Sequence, residues 1–246
     1  RLLSLWRPPP FLTGCSQAVW IDPPALVRNY DYSPRLCEGA LMRTQWHGRP
    51  VIAMSDCLWG ALDGVNDAGL CVALAFGGRK VVGDGFGIPL VLRYILEFCD
   101  TTRDAVRVLT RVPVHMAYNV TVVDARGKPA AVQLAPVREP LVTDRRAATN
   151  HQGPSEWHEH AAITRSEERE AAIDACLAGG ATSLDDLVSR FLHHPIYSSA
   201  FHHGWGTLYT AHYDPARRAA AYLWPHARMD QSLENFTERE IAIHYA

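Results

Sequence analysis

The sequence predicts an α+β fold in which two antiparallel sheets carry helices on their outer faces. Two observations predict it. Strand-like runs and helix pairs alternate in blocks: strands, two helices, strands, two helices, strands. A block order of this kind suits stacked layers, whereas a doubly wound parallel sheet would need regular strand–helix alternation. Finally, 246 residues with 48% hydrophobic content can bury a sizeable core as one domain or two small ones.

Taken in chain order, Leu2, Leu3, Leu5 and Trp6 read as the end of a longer apolar helix. The run Arg7-Pro8-Pro9-Pro10-Phe11 reads as a rigid extended linker, because three prolines in a row exclude a helix. Strands over 16–20 and 26–31 flank an Asp22-Pro23-Pro24 turn and form a hairpin. Buried strands follow over 51–55 and 58–62. The polar stretch 63–69 (Asp-Gly-Val-Asn-Asp-Ala-Gly) reads as a turn-rich loop, and 70–74 as the next strand. Gly77-Gly78 and 83–87 are loops. The Gly-Asp-Gly-Phe-Gly of 83–87 lacks the spacing of a phosphate-cradling turn.

Apolar residues recur at helical period over 89–99, and Thr101 caps a second helix that reaches about 112. Strands over 117–123, 130–134 and 147–150 are separated by turns such as Ala125-Arg126-Gly127. A helix over 160–177 is stopped by Gly179-Gly180. Ser183 opens another that reaches about 192, with Asp186 as the capping-box acid. A hairpin of 206–211 and 219–223 closes the chain around Asp214-Pro215. Residues 1–14 are expected to be a linker, the remnant of a pro-segment, and 15–246 a single domain.

Charge and cysteines bound the function. The net charge of −2, with no basic block, gives no footprint for nucleic acid. The apolar runs are too short to span a bilayer, and no signal peptide is legible. The six cysteines are scattered without a regular spacing, and they read as reduced thiols of a cytoplasmic protein.

The chemistry concentrates in Gly14-Cys15 and Arg28-Asn29-Tyr30-Asp31. A cysteine attacks as its thiolate, which is scarce at neutral pH. If the bond after Gly14 were cut, Cys15 would carry an α-amine with an ordinary pKa of about 7.7–8.0 as its own base. A guanidinium at about 4 Å, in an effective dielectric near 20, would favour the thiolate by roughly 4 kcal/mol before desolvation. Arg28 is the candidate cation, and Asp31 a candidate acceptor for the new ammonium. Spacing alone leaves a second reading open: Cys15 as a buried structural thiol, with Arg28 and Asp31 as a surface pair.

Together with Asp63-Gly64-Val65-Asn66-Asp67-Ala68-Gly69-Leu70 and Thr149-Asn150-His151, these residues resemble a known family from Pro8 to about Trp224. The chain is similar to the autoproteolytic acyltransferases and hydrolases related to acyl-coenzyme A:6-aminopenicillanic-acid acyltransferase. These are N-terminal-nucleophile hydrolases and cousins of the choloylglycine hydrolases. The resemblance implies a four-layer αββα sandwich, self-cleavage between Gly14 and Cys15, and an acyl-enzyme on the cysteine sulfur. It assigns Cys15 as nucleophile, Arg28 and Asp31 as its neighbours, and Asn150 as support for the α-amine or the oxyanion. It matches Arg165 to a later arginine of the site, with Arg169 close enough to take that place. The choloylglycine hydrolases carry an oxyanion asparagine after the glycine-leucine strand. This chain has Leu74-Ala75-Phe76-Gly77-Gly78 there, so backbone N–H groups or Asn150 are expected to substitute.

Trp20, Tyr30, Trp59 and Phe76, with Trp205, are candidates to line an acyl pocket. Asn119 reads as a hydrogen-bonded core residue. His158 and His160 are two apart, where a zinc helix needs a spacing of four. They read, with His151, as solvated loop histidines, His193-His194 and His202-His203 read as adjacent pairs flanking a loop, and no metal or other cofactor is expected. The expected partner is a small acyl substrate, such as an acyl-coenzyme A or an N-acyl amino compound. A homo-oligomer is left open. The alternative function is a non-catalytic, unprocessed protein of the same fold that acts in binding or structure.

Overall fold

The computed structural model describes residues 4–245. Two antiparallel sheets stack face to face. One comprises β1 (Gly14–Ile21), β2 (Pro24–Tyr32), β10 (Ala147–Ala148), β11 (Gly206–Asp214), β12 (Ala219–Trp224) and β13 (Ala227–Ser232), in the order β10-β1-β2-β11-β12-β13. The other takes its strands in chain order: β3 (Ala40–Thr44), β4 (Val51–Asp56), β5 (Gly60–Asn66), β6 (Cys71–Phe76), β7 (Tyr118–Val123), β8 (Pro129–Ala135) and β9 (Arg138–Thr143).

Helices α1 (Ile88–Phe98) and α2 (Thr102–Arg111) cover the seven-stranded sheet. The six-stranded sheet is covered by a layer that includes α4 (Ser166–Ala175) and α5 (Leu184–Arg190), preceded by the short α3 (His158–Thr164). The result is the predicted four-layer αββα sandwich. Its principal core lies between the sheets and runs on beneath α1 and α2. A second cluster joins Ala18, Val27, Ala221 and Leu223 to Ile173, Leu187, Val188 and Phe191 of the helical layer. Central strand β6 is buried on both faces, so it reads as a continuous apolar run.

Helix caps follow the sequence reading. Thr101 Oγ1 accepts from Asp104 N at 3.2 Å, and Ser183 Oγ from Asp186 N at 3.1 Å. Four features depart from it. Strands β3, β9 and β13 went unread because all three are sheet edges with mixed exposure and no apolar run. The stretch 63–66, read as loop, completes β5. Its polar residues are buried because they bond inward: Asn66 Nδ2 donates to the carbonyls of Leu96 and Cys99. The helix read over 160–177 breaks at Arg165, whose φ of 52° is left-handed, so α4 starts afresh at Ser166. Leu5 (φ 45°) and Trp6 are not helical; Trp6 bridges to Phe86, while Leu2 and Leu3 lie outside the described residues. All six cysteines are free thiols.

Candidate active site

Cys15 stands opposite Tyr30 across the β1–β2 pair, and Gln17 stands opposite Arg28. Successive side chains of a strand point to opposite faces. Cys15, Arg28 and Tyr30 therefore face the inter-sheet core, while Ser16 and Asp31 face the helical layer. On the core side, Arg28 Nη2 lies 3.4 Å from Cys15 Sγ and donates to Leu74 O at 3.1 Å. Its Nη1 pairs with Asp63 Oδ2 and donates to Tyr209 Oη at 2.8 Å. Tyr209 in turn donates to Asp63 at 2.7 Å, and Tyr213 donates to the other carboxylate oxygen. The guanidinium also sits 4.6 Å from the centre of the Tyr30 ring.

All these groups are buried. Burial by itself would lower the Arg28 pKa, but Tyr209, Asp63 and Cys15 outweigh it and hold the guanidinium well above its ordinary value. A permanent cation thus stands beside the Cys15 sulfur.

The helical side grips the peptide backbone around the sulfur. Asn150 Oδ1 accepts from Cys15 N at 2.8 Å and from Arg169 Nη2 at 2.8 Å. Arg169 Nη1 reaches Cys15 O at 2.8 Å, Ser16 Oγ at 2.8 Å and Asp31 Oδ2 at 3.1 Å. Asp31 Oδ1 accepts from Thr207 at 2.6 Å. Burial raises the Asp31 carboxyl above its ordinary value, with Arg169, Thr207 and Arg28 pulling the other way.

The restart of α4 makes this grip, because Ser166, Arg169 and Glu170 then share one helix face. Ser166 Oγ accepts from Asn150 N at 2.8 Å and bonds His151 Nδ1 at 2.8 Å, while His151 Nε2 meets Glu170 at 3.1 Å. Asn119 Nδ2, in the core as expected, donates to the carbonyls of Thr149 and His151 and so fixes the same segment.

The family model described as acyl-coenzyme A:6-aminopenicillanic acid acyl-transferase matches residues 21–228. The chain belongs to this family. Among curated proteins nothing matches. Solved structures with the same fold include penicillin V acylase from Agrobacterium tumefaciens, at 16% identity and TM-score 0.59, covering 88% of this chain and 84% of that one. A mutant conjugated bile acid hydrolase from Clostridium perfringens follows at 12% and 0.62, covering 94% and 97%. A Caenorhabditis elegans ortholog of N-acylethanolamine-hydrolyzing acid amidase is similar at 12% and 0.58, covering 82% and 93%. The sandwich is thus of the N-terminal-nucleophile hydrolase type, and the family places the chain among acyl-transferring enzymes.

Of the residues expected around an acyl-transferase site, the structure brings together Gly14, Cys15, Arg28, Asp31, Tyr30 and Asn150. Arg165 is not among them: it is partly exposed and pairs with Glu168 and His194, and Arg169 takes its place. Asp63 and Tyr209 went unread as site residues. Asp63 sat in a stretch that looked like a turn, and only the packing of one sheet on the other brings it and Tyr209 to Arg28.

Trp20 lies on the helical side, with Nε1 donating to Asp22 O at 2.8 Å, and so cannot line the sulfur's face. Trp59 stands in the β4–β5 turn, where its carbonyl accepts from Arg93. Phe76 is close: its carbonyl accepts from Asn150 Nδ2 at 3.0 Å, and its ring meets His160 edge-on at 5.0 Å. His151 and His160 are buried rather than solvated, contrary to the sequence reading. Among the described residues no group of three ligating side chains could hold a metal, and no helix is long and apolar enough to cross a membrane.

Proposed function

We propose that this chain is a self-processing cysteine enzyme that cleaves or transfers an acyl group, taken from an amide or thioester, through an acyl-Cys15 intermediate. One observation carries the reading: a single cysteine has a buried guanidinium 3.4 Å from its sulfur and an asparagine oxygen 2.8 Å from its own backbone nitrogen. A structural thiol needs neither. In the uncleaved chain the Cys15 thiolate attacks the Gly14 carbonyl. The C–N bond breaks as the S–C bond forms, and the new amine takes the proton. Water then hydrolyses the thioester, releasing the upstream segment and restoring the thiol.

Asn150 Oδ1, already bonded to Cys15 N, is placed to accept from the freed α-amine. That amine serves as base and then as acid: it takes the thiol proton and passes it to the leaving group of an incoming substrate. Asp31 and Arg169 hold the strand at the cleaved bond. The substrate is a small acyl compound whose scissile bond is a non-peptide amide or a thioester.

Intact-mass spectrometry of purified protein tests the reading. The expected result is a chain that begins at Cys15 and turns over acyl p-nitroanilides or acyl thioesters. Cys15→Ala should stay uncleaved and inactive. Wild-type turnover by that variant would sink the mechanism. An uncleaved parent chain whose Cys15 also resists iodoacetamide would favour the non-catalytic alternative.

A further inference from the structure

Residues just upstream of Cys15 are held in place on the protein surface and against the core. Leu5 O accepts from Gly87 N at 2.7 Å, and Arg7 N donates to Gly85 O at 2.9 Å. The Trp6 ring meets Phe86 edge-on at 4.9 Å. Phe11 packs against the main core with its ring 6.2 Å from that of Tyr118. Thr13 O accepts from Asn150 Nδ2 at 3.1 Å, and Thr13 Oγ1 lies 3.6 Å from Cys15 Sγ. Gly14 has no room to spare: a Cβ there would lie 3.0 Å from Asp31 Cβ and 3.0 Å from Trp205 Cζ3. Asp31 cannot easily give way, because Arg169 and Thr207 both bind its carboxylate.

Self-processing and turnover pass through the same kind of intermediate. In the first, the Gly14 acyl group is esterified to Cys15 Sγ beside a free α-amine. In the second, a substrate's acyl group is esterified to the same sulfur beside the same amine. The groups that hold residues 11–14 in the uncleaved chain are therefore those that meet the acyl part of a substrate after those residues leave.

We propose that the track of residues 11–14 is the acyl subsite of the mature enzyme, and that it selects N-acylglycyl amides and thioesters. Asp31 and Trp205 require an unsubstituted carbon next to the reacting carbonyl. Asn150 Nδ2 receives the amide carbonyl one residue further back. Tyr118 receives an apolar group at the far end. In turnover the Cys15 Sγ–acyl bond forms as the bond to the leaving amine or thiol breaks, and the leaving group departs with a proton. Water or an amine then cleaves the thioester and regenerates the thiol. The inference rests on the self-processing reading above.

The test uses protein shown by intact mass to begin at Cys15; failure to reach that state counts against self-processing, not against the subsite. Rates are compared for N-phenylacetyl-glycyl and N-phenylacetyl-alanyl p-nitroanilides. The expected result is a kcat/KM at least about 10-fold higher for the glycyl compound, the scale on which a pocket rejects one extra methyl group. Trp205→Ala should narrow that ratio by raising the rate on the alanyl compound. A peptide with the sequence of residues 4–14 should inhibit competitively, and less well when Phe11 is replaced by alanine. Equal rates on the two anilides, or a glycyl preference untouched by Trp205→Ala with no inhibition by the peptide, would overturn the assignment.

Discussion

The two faces of the β1–β2 ribbon handle the same cysteine differently. On the core face the side chain is met by one guanidinium, itself neutralised by Asp63 and flanked by Tyr30 and Tyr209, while Tyr213 binds the same carboxylate. On the helical face the main chain is met by a second guanidinium, neutralised by Asp31 and shared with Asn150. Each buried arginine thus has its own carboxylate, as burial of charge requires. The pleat lets one residue meet two guanidiniums: its sulfur from one side of the sheet, and its main chain from the other.

Breaking the core-face pair should produce the largest effect. Arg28→Gln leaves Asp63 buried without its cation, and should cost about 3–5 kcal/mol of stability. The double variant Arg28→Gln/Asp63→Asn, which has no orphaned charge, should recover part of that loss. Urea unfolding of the parent, single and double variants measures it; a double variant less stable than the single one would refute the pairing. Both variants should also slow cleavage after Gly14 and the alkylation of Cys15 by iodoacetamide, because the sulfur loses the guanidinium 3.4 Å from it.

A change on the helical face should be of another kind. Asp31→Asn keeps the shape but leaves the buried Arg169 guanidinium without its carboxylate, so stability should fall on the same scale, and the hold of Arg169 on the strand beside Gly14 weakens. Self-cleavage should slow by about 10²-fold, the usual scale for one positioned polar group. Alkylation of Cys15 by iodoacetamide should keep its parent rate, because Arg28 still faces the sulfur. Intact mass followed over time, with and without iodoacetamide, separates the two outcomes; alkylation slowed as in Arg28→Gln would erase the distinction between the faces.

The same contrast explains what the sequence disclosed. Cys15, Arg28 and Asp31 lie within one hairpin, so their proximity follows from local pairing and a period of two. The layer order was legible from blocks of strands and helices. Asp63 was not legible as a partner, because only the packing of one sheet on the other brings β5 to β2. Arg169 was hidden by a single backbone conformation. An unbroken helix offers Arg165 as readily as Arg169, and nothing in Thr164-Arg165-Ser166 announces a left-handed residue. Edge strands β3, β9 and β13 lacked the apolar pattern that only doubly covered strands possess.

The smallest expected effect concerns His160, which packs on Phe76 close to the helical-face guanidinium. Burial, and then the charge of Arg169, push its pKa down to about 4. The unfolded chain therefore binds this proton near pH 6.5, while the folded one resists until about pH 4. Stability from this group is present above pH 6.5 and lost as pH falls toward 4, on the order of 2 kcal/mol once the wet edge of the ring is allowed for. Asp31 works against it at lower pH, since a raised carboxyl gains stability as it protonates. His160→Gln should flatten the fall in urea midpoint between pH 7 and pH 4.5 without changing the rate of self-cleavage at pH 7. An unchanged fall would mean that the acid sensitivity of this face lies in other groups, and that His160 does not feel Arg169 as its position implies.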